Sequence, residues 1–403
     1  MDTEKLRQEA IELRKEKHQM IKTELNAELN DGHDLAIVYT PGVSAPCLAI
    51  KDDEDLSLTM TWRGNVVAVI SDGTRVLGLG DIGAAASMPV MEGKSALYKK
   101  FGNIDAIPIV LDTKDKDEFI HTVKLLEKNF AGINLEDISS PKCYDIEDEL
   151  KEIMNIPVFH DDQHGTAIAA LAALLGALKV VNKKIEDIKV VINGAGAAGT
   201  AIAKLLLEDG IKAENMTILN SKGILFDNGK RDRVQMELIK KTNPENKQGT
   251  FADAVKGADV LIGCSAPGVF NNDALKTMAD KSIVFAMANP VPEIMYEEAE
   301  EKGVYIYGSG RSDMPNQVNN SSVFPGLFRG ALDVRARQIN EEMKLAAAHA
   351  LADLATQCTL DPKHVVVDVF DKRVPHVVAK AVAEAAIKTG VARATELPAQ
   401  YKD

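Results

Sequence analysis

The sequence predicts an α/β protein, with an N-terminal α/β domain followed by a Rossmann-type doubly wound domain. Three observations carry that expectation. Short Val/Ile-rich runs alternate with helix-like stretches along the chain. From Lys189 the runs KVVIN, a glycine loop, the helical GTAIAKLLLEDG and MTILN follow the βαβ rhythm of a parallel sheet. The length, 403 residues with 45% hydrophobic content, suffices for about two cores. The boundary is placed at residue 160, giving domains 1–160 and 161–403.

Taken in order, residues 3 to 30 carry Leu6, Ala10, Leu13, Met20, Ile21, Leu25 and Leu29 at a spacing near 3.6, which predicts an amphipathic helix or helix pair. NVVAVIS (65–71) and AIPIVL (106–111) read as strands, and Asp115 to Phe130 as a helix. Further strands are expected at Val260–Cys264 and Ile283–Met287, and two terminal helices at Arg329–Gln357 and Pro375–Thr389. Lys222 to Gln248, rich in Lys, Asn, Asp and Gly, reads as an exposed excursion.

Composition excludes several function classes. A formal charge of -13 repels nucleic-acid phosphates and anionic lipid, so neither is an expected partner. The most apolar stretch, Thr166 to Leu178, falls short of the roughly 20 residues of a membrane span. Four cysteines without a C-x-x-C pair argue against a disulfide framework or a thiolate zinc site. The start, MDTEKLRQEAIELRKEKHQ, has no apolar core, so a cytoplasmic chain beginning at Met1 is expected.

Gly194, Gly196 and Gly199 in NGAGAAG fit G-x-G-x-x-G, whose bare backbone lets a pyrophosphate approach a helix N-terminus. The loop follows an apolar strand and opens a helix, which adds Ala197 and Ala198 to the expected dinucleotide contacts. GLGDIG (78–83) has the same spacing but runs into AAASMP, where Pro89 interrupts, so it reads as a tight turn between strands. The acid that would bind an NAD ribose is missing; the second strand ends in Asn220, Ser221 and Lys222 instead. NADP is therefore favoured over NAD.

Two acidic pairs, Glu136–Asp137 and Asp161–Asp162, each follow an apolar run at an apparent strand end. At the carboxyl edge of an α/β sheet they could converge and bind a hard cation such as Mg²⁺ or Mn²⁺. Each pair also fits the first turn of a helix. His160 and His164 lack the glutamate of H-E-x-x-H, so zinc is not expected, and a backbone-bonded histidine is. Tyr39 in YTPGV and Lys94 in MEGK have no assigned role from local sequence alone.

Together these segments resemble the malic enzyme family, in particular its short bacterial and archaeal form. The likeness runs through YTPGV (39–43), DGTRVLGLGDIG (72–83), MEGK (91–94), INLEDI (133–138), FHDDQHGTA (159–167), NGAGAAG (193–199), ANPVPE (288–293) and GRSDMPNQVNNSSVFPG (310–326). It implies oxidative decarboxylation of L-malate to pyruvate and CO2 with NAD(P) and a divalent metal. It also implies Glu136, Asp137 and Asp162 as metal ligands, Lys94 as base, Asp161 as the residue orienting it, and Tyr39 as acid, with the direction of the Lys94–Tyr39 pair open. Asn289 and Asn320 match substrate-side amides, Asn289 reaching the nicotinamide ribose as well, and Arg75 is expected on a malate carboxylate. Met314, where an aromatic residue is usual, reads as packing. The family implies a homodimer, with the N-terminal helix as the first candidate contact.

Two other functions fit parts of the pattern. A metal-dependent oxaloacetate decarboxylase needs the same metal, lysine and tyrosine without net hydride transfer. A nucleotide-sensing protein needs the glycine loop alone, and would have no use for Tyr39, Lys94 and four acids.

Overall fold

The computed structural model describes residues 3–270 and 273–402. Its frame is a pair of parallel sheets. The first contains β1 (Val66–Ser71), β2 (Asp105–Val110), β3 (Gly132–Leu135) and β4 (Val158–His160) in the order β2-β1-β3-β4. The second contains β5 (Val190–Asn193), β6 (Met216–Asn220), β7 (Gly223–Ile224), β8 (Val260–Gly263), β9 (Ile283–Ala286) and β10 (Ile306–Ser309), in the order β10-β9-β8-β5-β6-β7. Only β7 runs antiparallel. Every residue of β1, β3, β5, β8 and β9 is buried, as continuous apolar runs covered on both faces require.

Register places the site. Leu135 pairs with His160, so Glu136 and Asp161 leave adjacent strands side by side at the carboxyl edge. The helix Asp161–Val181 then runs through the core; it is long and apolar enough to span a membrane by composition, but 72% of its most apolar window is buried inside the protein. It is thus longer than the apolar run Thr166 to Leu178 suggested. The polar first turn belongs to it, with His160 as the capping residue.

The C-terminal part folds as three helices rather than two, Phe324–Asp333, Glu341–Thr356 and Arg373–Lys388, because Val334 to Asn340 breaks the run. The first returns to the N-terminal sheet. Phe324 and Phe328 sit 4.6 and 5.4 Å from the Tyr98 ring, and Phe328 lies 5.8 Å from Phe159. Truncating a fully buried ring such as Phe328 to alanine costs about 3–5 kcal/mol.

Three other expectations change. The N-terminal helix ends at Lys17, where His18 takes a φ of 64°, and Gln19 to Asp31 form no second helix. Pro89 does not interrupt: it lies inside the helix Ala84–Gly102, whose buried Met91, Ser95 and Tyr98 offset the lost hydrogen bond. GLGDIG therefore links a strand to a helix, although Val76 and Gly80 do pair across a tight turn. Within 222–248 the helix Arg233–Thr242 buries Val234, Leu238 and Ile239, so that stretch is only partly an excursion. Met314 packs as expected, against the cluster around Val284 and Tyr307.

Candidate active site

The acids meet where the strands end. Glu136 and Asp137 follow β3, Asp161 and Asp162 follow β4, and ligand oxygens of Glu136, Asp137 and Asp162 lie within 4.8 Å of one another. Glu136 and Asp137 are buried, and Asp137 holds a left-handed φ of 56°. Such a conformation costs a non-glycine residue energy and is kept where the surroundings impose it. The Asp137 amide donates to Asp162 Oδ2 at 2.7 Å, joining the two strand ends.

Lys94 enters from the helix Ala84–Gly102. Its Nζ donates to Asp161 Oδ2 at 2.5 Å and lies 2.9 Å from Glu136 Oε1, with the Phe324 ring centroid 4.2 Å away. Asn320, in the turn before the helix Phe324–Asp333, donates Nδ2 to the same Asp161 oxygen at 2.5 Å. Glu136 is oriented from behind: Tyr98 donates to Asn134 Oδ1 at 2.8 Å, and Asn134 Nδ2 donates to Glu136 Oε2 at 2.8 Å.

Packing carboxyl groups this closely perturbs them. Burial, reinforced by Asp162, pushes Asp137 up to about 7. Burial also raises Glu136 well above the carboxylate range, with Lys94 opposing and the neighbouring acids adding. Burial works to lower Lys94, but the charges of Asp161 and Glu136 more than offset it and hold it above its ordinary value. Asp137 Oδ2, Asp161 Oδ1 and His160 Nε2 are buried without a hydrogen-bond partner among the described residues. Clustered acids and orphaned carboxylate oxygens suit a hard divalent cation, so the donor set fits Mg²⁺ or Mn²⁺.

Behind the acids lies a buried polar cluster. Glu147 accepts from the His160 amide at 3.0 Å, Gln163 Nε2 at 3.0 Å, His164 Nε2 at 2.8 Å and Lys151 at 2.7 Å. Both histidines thus bond side chains, not the backbone contacts expected. Asp162 and Cys143 draw the His160 pKa upward against burial, but the donor group of Gln163 beside Nδ1 decides for the neutral ring. A proton on Nδ1 would point at the Gln163 amide nitrogen 2.9 Å away, which keeps Nδ1 an acceptor.

The cleft around the glycine loop, about 540 Å³, is lined by Asn193, Gly194, Gly196, Asn220, Lys222 and Ser265 among others. Gly194 has a φ of +131°, and a Cβ at Gly199 would lie 1.8 Å from Gly194 O, so two of the three glycines are required by the turn itself. Gly196, Ala197 and Ala198 open the helix Ala197–Glu208 toward the cleft. Gln235 donates to Ala195 O at 2.8 Å and pins the loop. Nothing in its sequence context marked it.

Among the described residues, the side chains of three predicted residues make no hydrogen bond to the Lys94 cluster. Tyr39 is 66% exposed, at the end of the helix Gly32–Val38. Arg75 has an exposed side chain that donates to Leu77 O at 3.2 Å, while its amide donates to Asp137 O at 2.9 Å. Asn289, beyond β9, is exposed and packs against Gly310 and Gly78. Glu147, Gln163, Tyr98 and Asn134 escaped the sequence reading, because an acid, amide or phenol buried by tertiary packing looks like any other in one sequence.

A Rossmann-type sheet with a dinucleotide loop, together with an acid cluster and a buried lysine, defines a nucleotide-dependent enzyme with a cation-suited site. Residues 15–118 match the family model described as malic enzyme, N-terminal domain, and residues 163–387 match malic enzyme, NAD binding domain. The chain belongs to the malic enzyme family. It is 50% identical over 401 residues to the bifunctional malic/malolactic enzyme of Bacillus subtilis, covering 99% of this chain and 97% of that one. It is 52% identical over 379 residues to the NAD-dependent malic enzyme of Geobacillus stearothermophilus, covering 94% and 79%. The crystal structure of the malic enzyme from Pyrococcus horikoshii superposes with a TM-score of 0.91 at 45% identity, covering 96% of this chain and 92% of that one. Other relatives are named NADP-dependent, and the chain spans about half the length of these.

Proposed function

We propose that this protein oxidises L-malate with NAD(P) and decarboxylates it to pyruvate and CO2, at a site formed by Glu136, Asp137, Asp162, Lys94, Asp161 and Asn320. The observation that carries the reading is the placement of Lys94 between Asp161 and Glu136, beside an acid set suited to a divalent cation. We assign the first domain to residues 1–160 and the NAD(P)-binding domain to 161–403, with the cleft between them.

Glu136, Asp137 and Asp162 would hold Mg²⁺ or Mn²⁺, which supplies Lewis acidity toward the malate hydroxyl and the enolate left after CO2 departs. Asp161, fixed by Asn320, aims Lys94 at the hydroxyl. Asp161 and Glu136 favour the charged form of Lys94, so the base is its deprotonated amine, which takes that proton as the carbinol hydride passes to the nicotinamide. Loss of CO2 leaves an enol carbon, which Tyr39 protonates to give pyruvate. Asn289 orients the substrate and nicotinamide ribose, and Arg75 takes a malate carboxylate when its loop turns inward. Lys222, at the end of β6, selects NADP over NAD by pairing with a ribose phosphate.

We further propose a homodimer in which Tyr39 serves the partner's cleft. No residue from 4 to 56 is buried, and Leu6, Ile11, Leu25, Ile37 and Leu48 stand exposed. A second copy would cover them. Mixing Tyr39→Phe with Lys94→Ala chains should then restore roughly a quarter of wild-type activity, since half the dimers carry one intact cleft. No recovery would refute shared clefts.

The function itself is tested by following reduced-nicotinamide absorbance with L-malate and Mn²⁺. A signal with NAD or NADP is expected; silence with both would refute an oxidoreductase and favour the decarboxylase alternative.

A further inference from the structure

We propose that Glu147 is a positioning residue for Asp162, acting through the side chains of Gln163 and His160. This rests on the reading of Asp162 as a metal ligand.

The argument is one of donors and acceptors. Glu147 is 2% exposed and ionised, so its oxygens only accept. The end of Gln163 that lies 3.0 Å from Glu147 Oε2 must therefore be the NH2 group. That same nitrogen lies 2.9 Å from His160 Nδ1, which must then accept. The ring proton is left on Nε2, which lies 3.1 Å from Asp162 Oδ2 as a close polar contact outside hydrogen-bond geometry. Oδ2 thus has the His160 ring on one side and the Asp137 amide at 2.7 Å on the other. Among the described residues no donor reaches Oδ1, which is left for a cation.

The remaining bonds of Glu147 lock this chain. It takes the His160 amide, and His164 Nε2–H, whose Nδ1 accepts from the buried Lys344 at 3.0 Å. Were residue 147 neutral, Gln163 could reverse its amide. Nδ1 of His160 would then carry the proton, and a bare Nε2 would face the Asp162 carboxylate. Partners of this kind behind a ligand typically contribute 10–100-fold in metal affinity.

The test is Mn²⁺ binding, read from the EPR signal of the free ion, without substrate or nucleotide. Glu147→Gln and Gln163→Met should each weaken Mn²⁺ about tenfold, whereas Tyr144→Phe, which removes a hydrogen bond from the same helix to Thr200, should leave it within about twofold. Should Glu147→Gln not fold, Gln163→Met decides alone. Binding within about twofold of wild type in Gln163→Met overturns the proposal. Asp162→Asn separates the two levels. If it binds Mn²⁺ normally, the metal reading itself fails; if it loses Mn²⁺ while Gln163→Met does not, only the positioning role fails.

Discussion

Gly165 sits one helical turn beyond Asp161, and its missing side chain makes room for that carboxylate. A Cβ built at Gly165 would lie 1.8 Å from Asp161 Oδ1, 2.7 Å from its Cγ and 3.2 Å from Asn320 Cβ. Real Cβ contacts do not go below 3.0 Å, so in Gly165→Ala the carboxylate must move by at least about 1.2 Å. Asp161 is fully buried and bonded at 2.5 Å to both Lys94 and Asn320, so the displacement passes to the lysine. A 1 Å misplacement of a reacting group costs about 100-fold in rate. Stability changes far less: alanine gains about 1 kcal/mol of helix propensity, against about 1–3 kcal/mol for overpacking. Initial rates of malate oxidation alongside a far-UV thermal melt should therefore show kcat down about 100-fold in a folded protein. A folded Gly165→Ala enzyme with kcat within about threefold of wild type would refute the Asp161–Lys94 reasoning.

Gly199→Val should raise the KM for nucleotide more than about tenfold with Mn²⁺ binding intact, since its Cβ would meet Gly194 O at 1.8 Å. Lys222→Ala should lower NADP discrimination, read as the ratio of kcat/KM values for NADP and NAD, by about tenfold. Tyr98→Phe leaves buried Asn134 Oδ1 without its donor and should cost about 1–3 kcal/mol in urea unfolding. His164 gives a pH dependence. Burial pushes it down to about 4 from 6.5, so the unfolded chain binds more protons between those values. Its contribution is full above pH 6.5, is lost as pH falls through about 4, and amounts to at most about 3 kcal/mol. In His164→Asn the urea midpoint should fall less between pH 7 and pH 5 than in wild type.

What the sequence made legible followed from local rules. Apolar runs marked β1, β8 and β9 to within a residue or two, because a strand covered on both faces must be apolar throughout, and the half-buried edge strand β2 equally closely. The loop at Gly194 was readable because a strand-to-helix turn against a phosphate leaves few options. The acids were readable as pairs at strand ends, and their convergence followed from the resemblance and the parallel topology. Other features depend on tertiary balance. Pro89 stays helical because Met91 and Tyr98 bury their side chains on the same helix. Gln19 to Asp31 carries helical spacing, yet Leu25 and Leu29 stay exposed while Met20 and Ile21 are only partly covered. Glu147 stands among four other acids in the helix Lys142–Ile153, and only packing selects it for burial. Tyr39 and Arg75 carry the family pattern but leave their side chains exposed within one chain, which a sequence cannot reveal.

Product stoichiometry tests the central claim most directly. With L-malate, Mn²⁺ and the preferred nucleotide, reduced nicotinamide, pyruvate and CO2 should appear in equal amounts, and all three should vanish in Lys94→Ala. CO2 released with lactate in place of pyruvate and reduced nucleotide, or an undiminished rate in Lys94→Ala, would contradict the account.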